Sequence, residues 1–368
     1  MKIADRYILK KYLSTFVFCL LLFTVIAVVI DISEKTDDFS KASLTFVKIV
    51  RDYYFGFIPR IDALLFPLFV FISVIFFTSK MAGRSEVIAI LSSGVAFRRF
   101  LMPFLGGALI LGGFLWAGYR YVIPRANRTW ADFHKAYLDS NEPQDPNKAN
   151  KKGSIKTGMY FRLDKDRYIG IKSYDTTSKT GNSFFLQQFK DNKLIYNLRA
   201  SNFNWDTVHQ KWKLFNVTER SFHDINETVT HSQQKTVAYN LRPIDLRNDD
   251  YLKDQLSTPD LTEFIEREKI RGSENLNSLL FEKNNRDAIP ASVVILTIIG
   301  VSLASRKVRG GSGAHIALGV VLSMVYILFS RFSVVFATQG NFTPWLASWT
   351  PNILFGILAF FLYRRAAR

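Results

Sequence analysis

The segment Ser79–Arg99 combines residue types suited to contact with a partner protein, and it lies between two long apolar runs. Its middle, Ser85 to Leu91, has the pattern of a short helix. Ser85 suits the N-cap, and Glu86 suits the first turn, where a carboxylate favours the positive end of the helix dipole. Gly94 is suited to end the helix. A short helix between two membrane spans can transmit a push from a soluble partner. The residues predicted to act there are Arg84, Ser85, Glu86, Ile88 and Leu91.

Three cations near the apolar runs have the chemistry to meet lipid. Lys35 and Lys41 follow the first run, in a segment that also carries acidic residues. They belong either to a solvated loop with local ion pairs or to a site for anionic lipid headgroups. Arg331 lies in the middle of the fifth run. An arginine at membrane depth is costly, so Arg331 is either a cavity residue or a structural partner of backbone carbonyls.

The residue pattern predicts no catalytic centre. The five histidines lack the spacing of metal ligands, and the single cysteine, Cys19, rules out an intrachain disulfide. Gly310–His315 is rich in glycine but lacks the Lys-Ser/Thr pair of a nucleotide-binding phosphate loop. We therefore expect no metal, no cofactor and no ATP hydrolysis by this chain.

The elements that must carry these residues are membrane spans. The chain has 368 residues, is 48% hydrophobic and has a formal net charge of +17. A basic protein can bind nucleic acid, but here the apolar residues form runs of bilayer length with basic residues at their ends, which favours a membrane protein with no nucleic-acid partner. The six predicted spans are Tyr12–Ile30, Phe57–Thr78, Phe100–Ile123, Ile289–Ala304, His315–Thr338 and Leu346–Tyr363.

The distribution of basic residues predicts the orientation. Lysine and arginine are concentrated at both termini and in the loops after the second and fourth spans. The loop Asp31–Asp52 is of mixed sign, and Gln339–Trp345 has no charge. Because basic loops stay in the cytoplasm, we predict that both termini are cytoplasmic and that the large polar domain is extracytoplasmic.

The polar segment between the third and fourth spans has two parts. From about Gly158 to Leu241 it has the pattern of many short strands separated by turn residues, which predicts a β sandwich or jelly roll. Helical patterns follow, and Asn141–Gly153 has the composition of a flexible link. The predicted domains are 1–123 with three spans and the short helix, 124–257 with the β jelly roll, 258–288 as a helical connection, and 289–368 with three further spans.

Five glycines lie in or just after the third span: Gly106, Gly107, Gly112, Gly113 and Gly118. Glycine at near-helical spacing either allows another helix to approach closely or only loosens its own helix. The sequence leaves both interpretations open.

Short motifs in the same order along nearly the whole chain carry a family resemblance. They are Ala4-Asp5-Arg6-Tyr7-Ile8-Leu9-Lys10, Arg84-Ser85-Glu86 with Ile88 and Ser93-Gly94, Ile123-Pro124, Trp205-Asp206 with Trp212 and Leu214, and Pro290. With three spans on each side of a β domain, the chain resembles the LptF/LptG permease family, the membrane subunits of the bacterial lipopolysaccharide exporter. Its N-terminal motif is closer to LptG.

The resemblance implies a non-catalytic permease subunit of an ABC transporter in the bacterial inner membrane. The implied partners are a dimer of the ATPase LptB, a second permease subunit of the LptF/LptG type, LptC and the periplasmic jelly-roll bridge. The implied substrate is lipopolysaccharide, extracted from the outer leaflet. The β domain would extend the path by pairing its edge with a neighbouring domain.

The resemblance also implies roles for single residues. The Ser85–Leu91 helix is similar to the coupling helix that sits in a groove of the ATPase. Glu86 would contact a basic residue of the ATPase, or only cap its helix, or do both. Lys35 and Lys41 fall where LptG proteins have lysines facing the substrate, and we assign Arg331 to the same path. The basic residues that the family has after the third span have no aligned counterpart, although His134 and Lys135 lie nearby.

Two other classes of function remain open. A non-transporting membrane receptor or scaffold with a periplasmic β sensor domain would need no substrate cavity. Arg331 inside the bilayer and the lack of a cytoplasmic signalling domain count against it. An intramembrane enzyme would need paired acids, a histidine cluster or a nucleophile at membrane depth, and the sequence has none in such a pattern.

Overall fold

The chain divides into two compact units. The computed structural model describes residues 3–41, 44–138, 156–175, 178–191, 193–223, 226–239, 241–246, 252–271, 273, 275–306, 312–340 and 342–367. The first unit, here the membrane unit, consists of Met1–Asn141, Lys253–Thr262 and Asn277–Arg368. The second, the β unit, consists of Glu142–Leu252 and Glu263–Leu276. The predicted flexible link Asn141–Gly153 and the first two glycines of Gly310–His315 lie outside the described residues.

Helices make up the membrane unit. In chain order they are α1 (Ile3–Lys41), α2 (Phe46–Lys48), a π-helical segment (Ile49–Tyr54), α3 (Phe55–Gly83), α4 (Glu86–Ser92), α5 (Phe97–Ala117), a second π-helical segment (Gly118–Val122), α6 (Ile123–Phe133), a third (His134–Leu138), α9 (Leu276–Ala304), α10 (Ser312–Gln339) and α11 (Pro344–Ala366). Two short helices, α7 (Leu252–Gln255) and α8 (Thr258–Arg271), precede α9. Within the described residues, six helices are long and apolar enough to cross a membrane, which confirms the predicted spans.

Most of the spans are longer than predicted because their polar ends are also helical. The first runs for 39 residues as α1, a length of roughly 58 Å at the rise of an α-helix. A bilayer core is only about 30 Å thick, so hydropathy detects the middle of such a helix and misses its ends. The segment from Asp31 to Lys41, expected to begin a loop, is therefore the last part of α1.

Clusters of apolar side chains fix these helices to one another, and two of them join the long spans. The larger joins α1, α3, α4, α5 and α9, and the second joins α3, α9, α10 and α11. Contacts between helix ends bring the starts of α1 and α5 and the end of α11 to one side. Arg99 pairs with Asp5 there, and the ring of Phe97 lies 5.9 Å from that of Tyr363. We call this end of the membrane unit the basic side.

The β unit contains one antiparallel sheet, which confirms the predicted β domain. Its strands, in chain order, are β1 (Lys156–Arg162), β2 (Arg167–Asp175), β3 (Thr180–Lys190), β4 (Lys193–Asp206), β5 (Lys211–His223) and β6 (Asn226–Val237). The spatial order is the sequence order, so these strands form a meander without a Greek-key crossing. Trp212 is almost fully buried in the core of the unit, where its Nε1–H donates to the Leu241 carbonyl at 2.7 Å.

A helical connection follows the sheet. Ser257 caps α8, because its Oγ accepts a hydrogen bond from the Asp260 N–H at 3.4 Å, and the same Oγ donates to an Asp260 carboxylate oxygen at 2.6 Å. Later in α8, Arg271 donates to the fully buried Asp245 carboxylate at 2.8 Å. The predicted segment Leu276–Asn285 is continuous with the fourth span as α9.

Candidate functional site

The helix α4 begins and ends at residues with left-handed backbone angles. Ser85 has φ 61° before it, and Gly94 has φ 86° after it. The Ser85 carbonyl accepts the first helical hydrogen bond, from the Ala89 N–H at 3.0 Å, and the Gly94 N–H donates to the Leu91 carbonyl at 3.1 Å. Ser85 therefore occupies the N-cap position, but its side chain makes no capping bond, because a capping side chain normally needs an extended backbone.

One face of α4 is anchored in the membrane unit and the other is exposed. Val87 is fully buried in the larger cluster, with Ile90 and Leu91 partly buried beside it. A helix of two turns is not stable alone, so this packing holds it in place. On the exposed face, Ile88 is 50% exposed, next to the exposed Ala89. The helix therefore presents an apolar side chain outward at the basic side.

The two charged residues at the start of α4 are close but loosely paired. The Arg84 guanidinium lies 3.9 Å from the Glu86 carboxylate, and their side chains are 62% and 32% exposed. An exposed pair at this distance contributes little to stability. Glu86 can therefore exchange Arg84 for a cation on another chain at small cost.

Lys35 lies near the outer end of α1, opposite the basic side. One turn earlier, the buried Asp31 carboxylate accepts hydrogen bonds from Tyr53 and Tyr54, each at 3.0 Å. One turn later, the buried Phe39 packs edge-on against Tyr53 at 5.3 Å. Lys35 is half-buried between these two anchors, so its position is fixed by helix packing.

Lys35 and Lys41 belong to a helix rather than to the expected loop, and Lys35 attracts the Asp31 carboxylate four residues earlier. Both residues are in α1, and Lys41 is its last residue, with a side chain outside the described part. Among the described residues, Lys35 forms no ion pair with the neighbouring Glu34, Asp37 or Asp38.

The helix α6 carries two arginines that the sequence analysis missed. Its buried face meets α3 at Gly56, where a Cβ would come within 2.7 Å of the Ala126 carbonyl oxygen. Its opposite face exposes Arg125 and Arg128. The sequence did contain a signal for them: two arginines three residues apart, directly after a proline suited to the start of a helix, indicate a basic helix face.

His134, suggested near this position, is less suited to bind an anion. It is half-buried, and its ring packs at a tilt against that of Trp130, with centroids 4.8 Å apart. The side chain of Lys135 lies outside the described part. The Arg60 guanidinium lies over the Trp130 ring, with its Cζ atom 3.9 Å from the ring centroid. Trp130 therefore stabilises this cation by a cation–π interaction.

Arg331 is exposed on α10. The buried side of that helix includes Ser323 and Tyr326, whereas Leu328 and Phe332 flank Arg331 on the exposed side. An exposed guanidinium in the middle of a span needs water, a headgroup or another protein chain around it. Because the Arg331 side chain is on the exposed side of α10, a purely structural role within this chain is disfavoured.

Apart from Arg331 in the α10 span, the predicted residues form two groups at opposite ends of the membrane unit. Glu86 and its neighbours lie at the basic side, and Lys35 lies 30 residues beyond Asp5 on one helix, roughly 45 Å along its axis. In the described part of the chain, no cluster of three or more His, Cys, Asp or Glu residues could hold a metal. The arrangement suits contact and movement at two surfaces.

One comparison with known proteins identifies a transport family. The family model described as lipopolysaccharide export system permease LptF/LptG matches residues 6–365. The comparison with curated proteins gives no match.

Proposed function

The chain belongs to the LptF/LptG family of lipopolysaccharide export permeases, and from that premise we propose that it is one permease subunit of an ABC transporter. The transporter takes lipopolysaccharide from the outer leaflet of the inner membrane and passes it to a periplasmic bridge. The observation that carries this proposal is the family match over nearly the whole chain, with six spans and a β unit in the order that a permease of this family requires.

The charge distribution supports an orientation with both termini in the cytoplasm. Basic residues such as Lys10, Lys80 and Arg98 belong to the basic side, and they favour the cytoplasmic face of a membrane. In this orientation α4 faces the cytoplasm and the outer end of α1 faces the periplasm. The β unit is then periplasmic.

A separate ATPase supplies the energy in this proposal. The sequence has no phosphate loop for nucleotide, and α4 offers an anchored helix with Ile88 and Glu86 toward the cytoplasm. An LptB dimer would receive α4 in a groove, with Ile88 in an apolar contact and Glu86 beside a basic residue. Because Val87 fixes α4 to the bundle, movement of the ATPase would displace α3 and α5.

Cations at the other surface suit the anionic substrate. Lys35, Lys41, Arg125 and Arg128 belong to the outer ends of α1 and α6, where ammonium and guanidinium groups would attract lipid phosphates. Arg331 would face the same lipid-filled cavity from α10. Closure of the cavity after ATP binding would expel the lipid, because the two states of the cavity differ in their contacts to lipid and to ATPase.

A second permease subunit would complete the cavity. The spans α1 and α10 are the least buried of the six, with 11% and 22% of their apolar windows buried. Their exposed apolar faces, with Arg331 on that of α10, fit cover by a related chain and by lipid. The edge strands of the described sheet, β1 and β6, have backbone groups available for strand addition to LptC and the jelly-roll bridge.

Replacement of Glu86 tests the coupling role. In a complex reconstituted with LptB and a second permease subunit, we expect Glu86→Ala to weaken co-purification of LptB and to reduce lipid-stimulated ATP hydrolysis. Ser93→Ala, an exposed change just after the same helix, is the matched control and should behave as the unchanged protein. Normal values for both measurements in Glu86→Ala would refute the coupling role of this residue.

The receptor or scaffold alternative predicts a different result for the unchanged protein. Such a protein would bind a cytoplasmic partner without releasing lipid from the membrane. ATP-dependent release of lipopolysaccharide from proteoliposomes therefore separates the two functions.

A further inference from the structure

The helix α1 is attached to the start of α5 by an ion pair that the proposed mechanism has not used. Arg99 Nη2 donates to Asp5 Oδ2 at 2.6 Å. The two residues are 94 positions apart in sequence, and their side chains are 42% and 13% exposed. This is a charge-assisted bond of short length between two separate spans.

The position of Arg99 is unfavourable without that bond. It lies in the first turn of α5, where the unsatisfied N–H groups give the helix a positive end that repels a cation. Asp5 lies in the first turn of α1, where a carboxylate is favoured. The Asp5 carboxylate therefore interacts favourably with its own helix and offsets the unfavourable placement of Arg99.

Arg99 also lies close to α4. The turn between α4 and α5 ends at Ala96, whose carbonyl accepts the Arg99 N–H at 2.8 Å. A displacement of α4 thus reaches Arg99 through one short turn, and Arg99 passes it to Asp5 through the ion pair.

Further contacts keep α1 and α5 together above the ion pair. The Tyr12 ring fits against Gly107 of α5 so closely that a Cβ there would lie 2.6 Å from two ring atoms. The Tyr12 hydroxyl lies 3.4 Å from Thr297 Oγ1 of α9. From this anchor, α1 continues without interruption to Lys35.

We propose that Asp5 and Arg99 are a positioning pair that makes α1 move with α4 and α5, so that displacement by the ATPase is transmitted along one continuous helix to Lys35. This inference rests on the proposed function, because it needs an ATPase at α4 and a lipid near Lys35. Neither Asp5 nor Arg99 touches lipid or nucleotide in this proposal.

The test measures how much lipopolysaccharide is released for each ATP hydrolysed by the reconstituted full transporter. In Arg99→Gln and in Asp5→Asn we expect this ratio to fall at least about fivefold, the lower end of typical coupling between sites. Loss of folded transporter would lower release and hydrolysis together and would leave the ratio unchanged. The exchanged pair, Asp5→Arg with Arg99→Asp, should restore most of the ratio.

Arg98→Gln is the matched control, since it removes the same charge from the adjacent exposed residue. If Arg99→Gln and Asp5→Asn release as much lipopolysaccharide per ATP as Arg98→Gln does, the proposed role of Asp5 and Arg99 as a positioning pair is refuted, while the proposed function stands. The same holds if the exchanged pair assembles but stays uncoupled. If the unchanged chain neither binds LptB nor releases lipid, the proposed function itself fails.

Discussion

At the scale of single residues, the glycines of α5 differ in what surrounds them. A Cβ on Gly107 would lie 2.6 Å from the Tyr12 ring, and one on Gly112 would lie 3.1 Å from the Pro290 carbonyl oxygen. A Cβ on Gly106 or Gly113 would meet no atom within 4 Å. Gly107 and Gly112 thus allow neighbouring helices to approach closely, whereas the adjacent Gly106 and Gly113 face open space.

Gly107→Ala is therefore expected to destabilise the protein by about 1–3 kcal/mol, the usual effect of overpacking a closely packed site. The new methyl group would push the Tyr12 ring out of its place between α1 and α5. Gly113→Ala, in the same helix, should be neutral or slightly stabilising, because alanine favours helix over glycine. Thermal unfolding of the detergent-solubilised variants measures the difference, and equal midpoints would contradict the packing argument.

The sequence could not distinguish these glycines, because they form two similar Gly-Gly pairs in one apolar run. Which of them packs depends on where α1 and α9 pass α5, and that is decided by residues far away in sequence. In contrast, the left-handed turn at Gly94 was predictable, because glycine adopts that backbone angle at low cost. The left-handed angle at Ser85 carried no such signal.

At the scale of elements, the β4–β5 hairpin depends on one carboxylate. Asp206 ends β4, accepts hydrogen bonds from Lys213 Nζ at 2.7 Å and from the Val208 N–H at 2.9 Å, and meets His209 Nδ1 at 3.0 Å. The bond from Lys213, followed by those from His209, holds the pKa of Asp206 well below its usual range. Two tryptophans, Trp205 and Trp212, lie next to it with ring centroids 4.8 Å apart.

This depressed pKa predicts loss of β-unit stability in acid. The folded carboxylate titrates below its unfolded value of about 3.9, so its contribution is complete at neutral pH. The contribution is lost as the pH falls from about 4 toward the folded pKa. Lys213→Gln should lower the denaturation midpoint at pH 7, and its effect should shrink only as the pH approaches the folded pKa of Asp206, as followed by tryptophan fluorescence of the full chain in detergent.

Lys211→Gln is the control for that experiment. Lys211 pairs with Asp206 in the strand register, and it carries the same charge as Lys213. An equal loss of stability in both variants would show that general surface charge, rather than the bond to Asp206, is responsible.

A strand is recognisable in the sequence where side chains alternate between core and surface, and β6 lacks this alternation. Every residue of β6 is exposed or half-buried, because it is the last strand of the described sheet and its residues are mostly polar on both faces. An edge strand gains its order from backbone pairing with β5, which leaves little trace in the sequence.

At the scale of the whole molecule, the number of spans and the presence of a β unit were predictable because both depend on apolar runs and strand patterns. The exposed faces of α1 and α10 were not. A span that is apolar on all sides can face lipid or protein equally well, and the sequence does not mark the difference. The packing of α3 and α5 against α1, and of α3 and α11 against α10, defines the surfaces that remain.

These surfaces predict where lipopolysaccharide meets the transporter. With a photo-crosslinking amino acid at position 35 or 331, in the complete complex in membranes that contain lipopolysaccharide, we expect strong labelling of the lipid. Position 361 is the control, because Phe361 is 64% exposed on α11, a helix that carries none of the residues proposed to contact lipid. ATP should reduce labelling at 35 and 331 together, since closing of the cavity expels the lipid from both positions. Labelling no greater than at position 361 would show that Lys35 and Arg331 do not face the substrate.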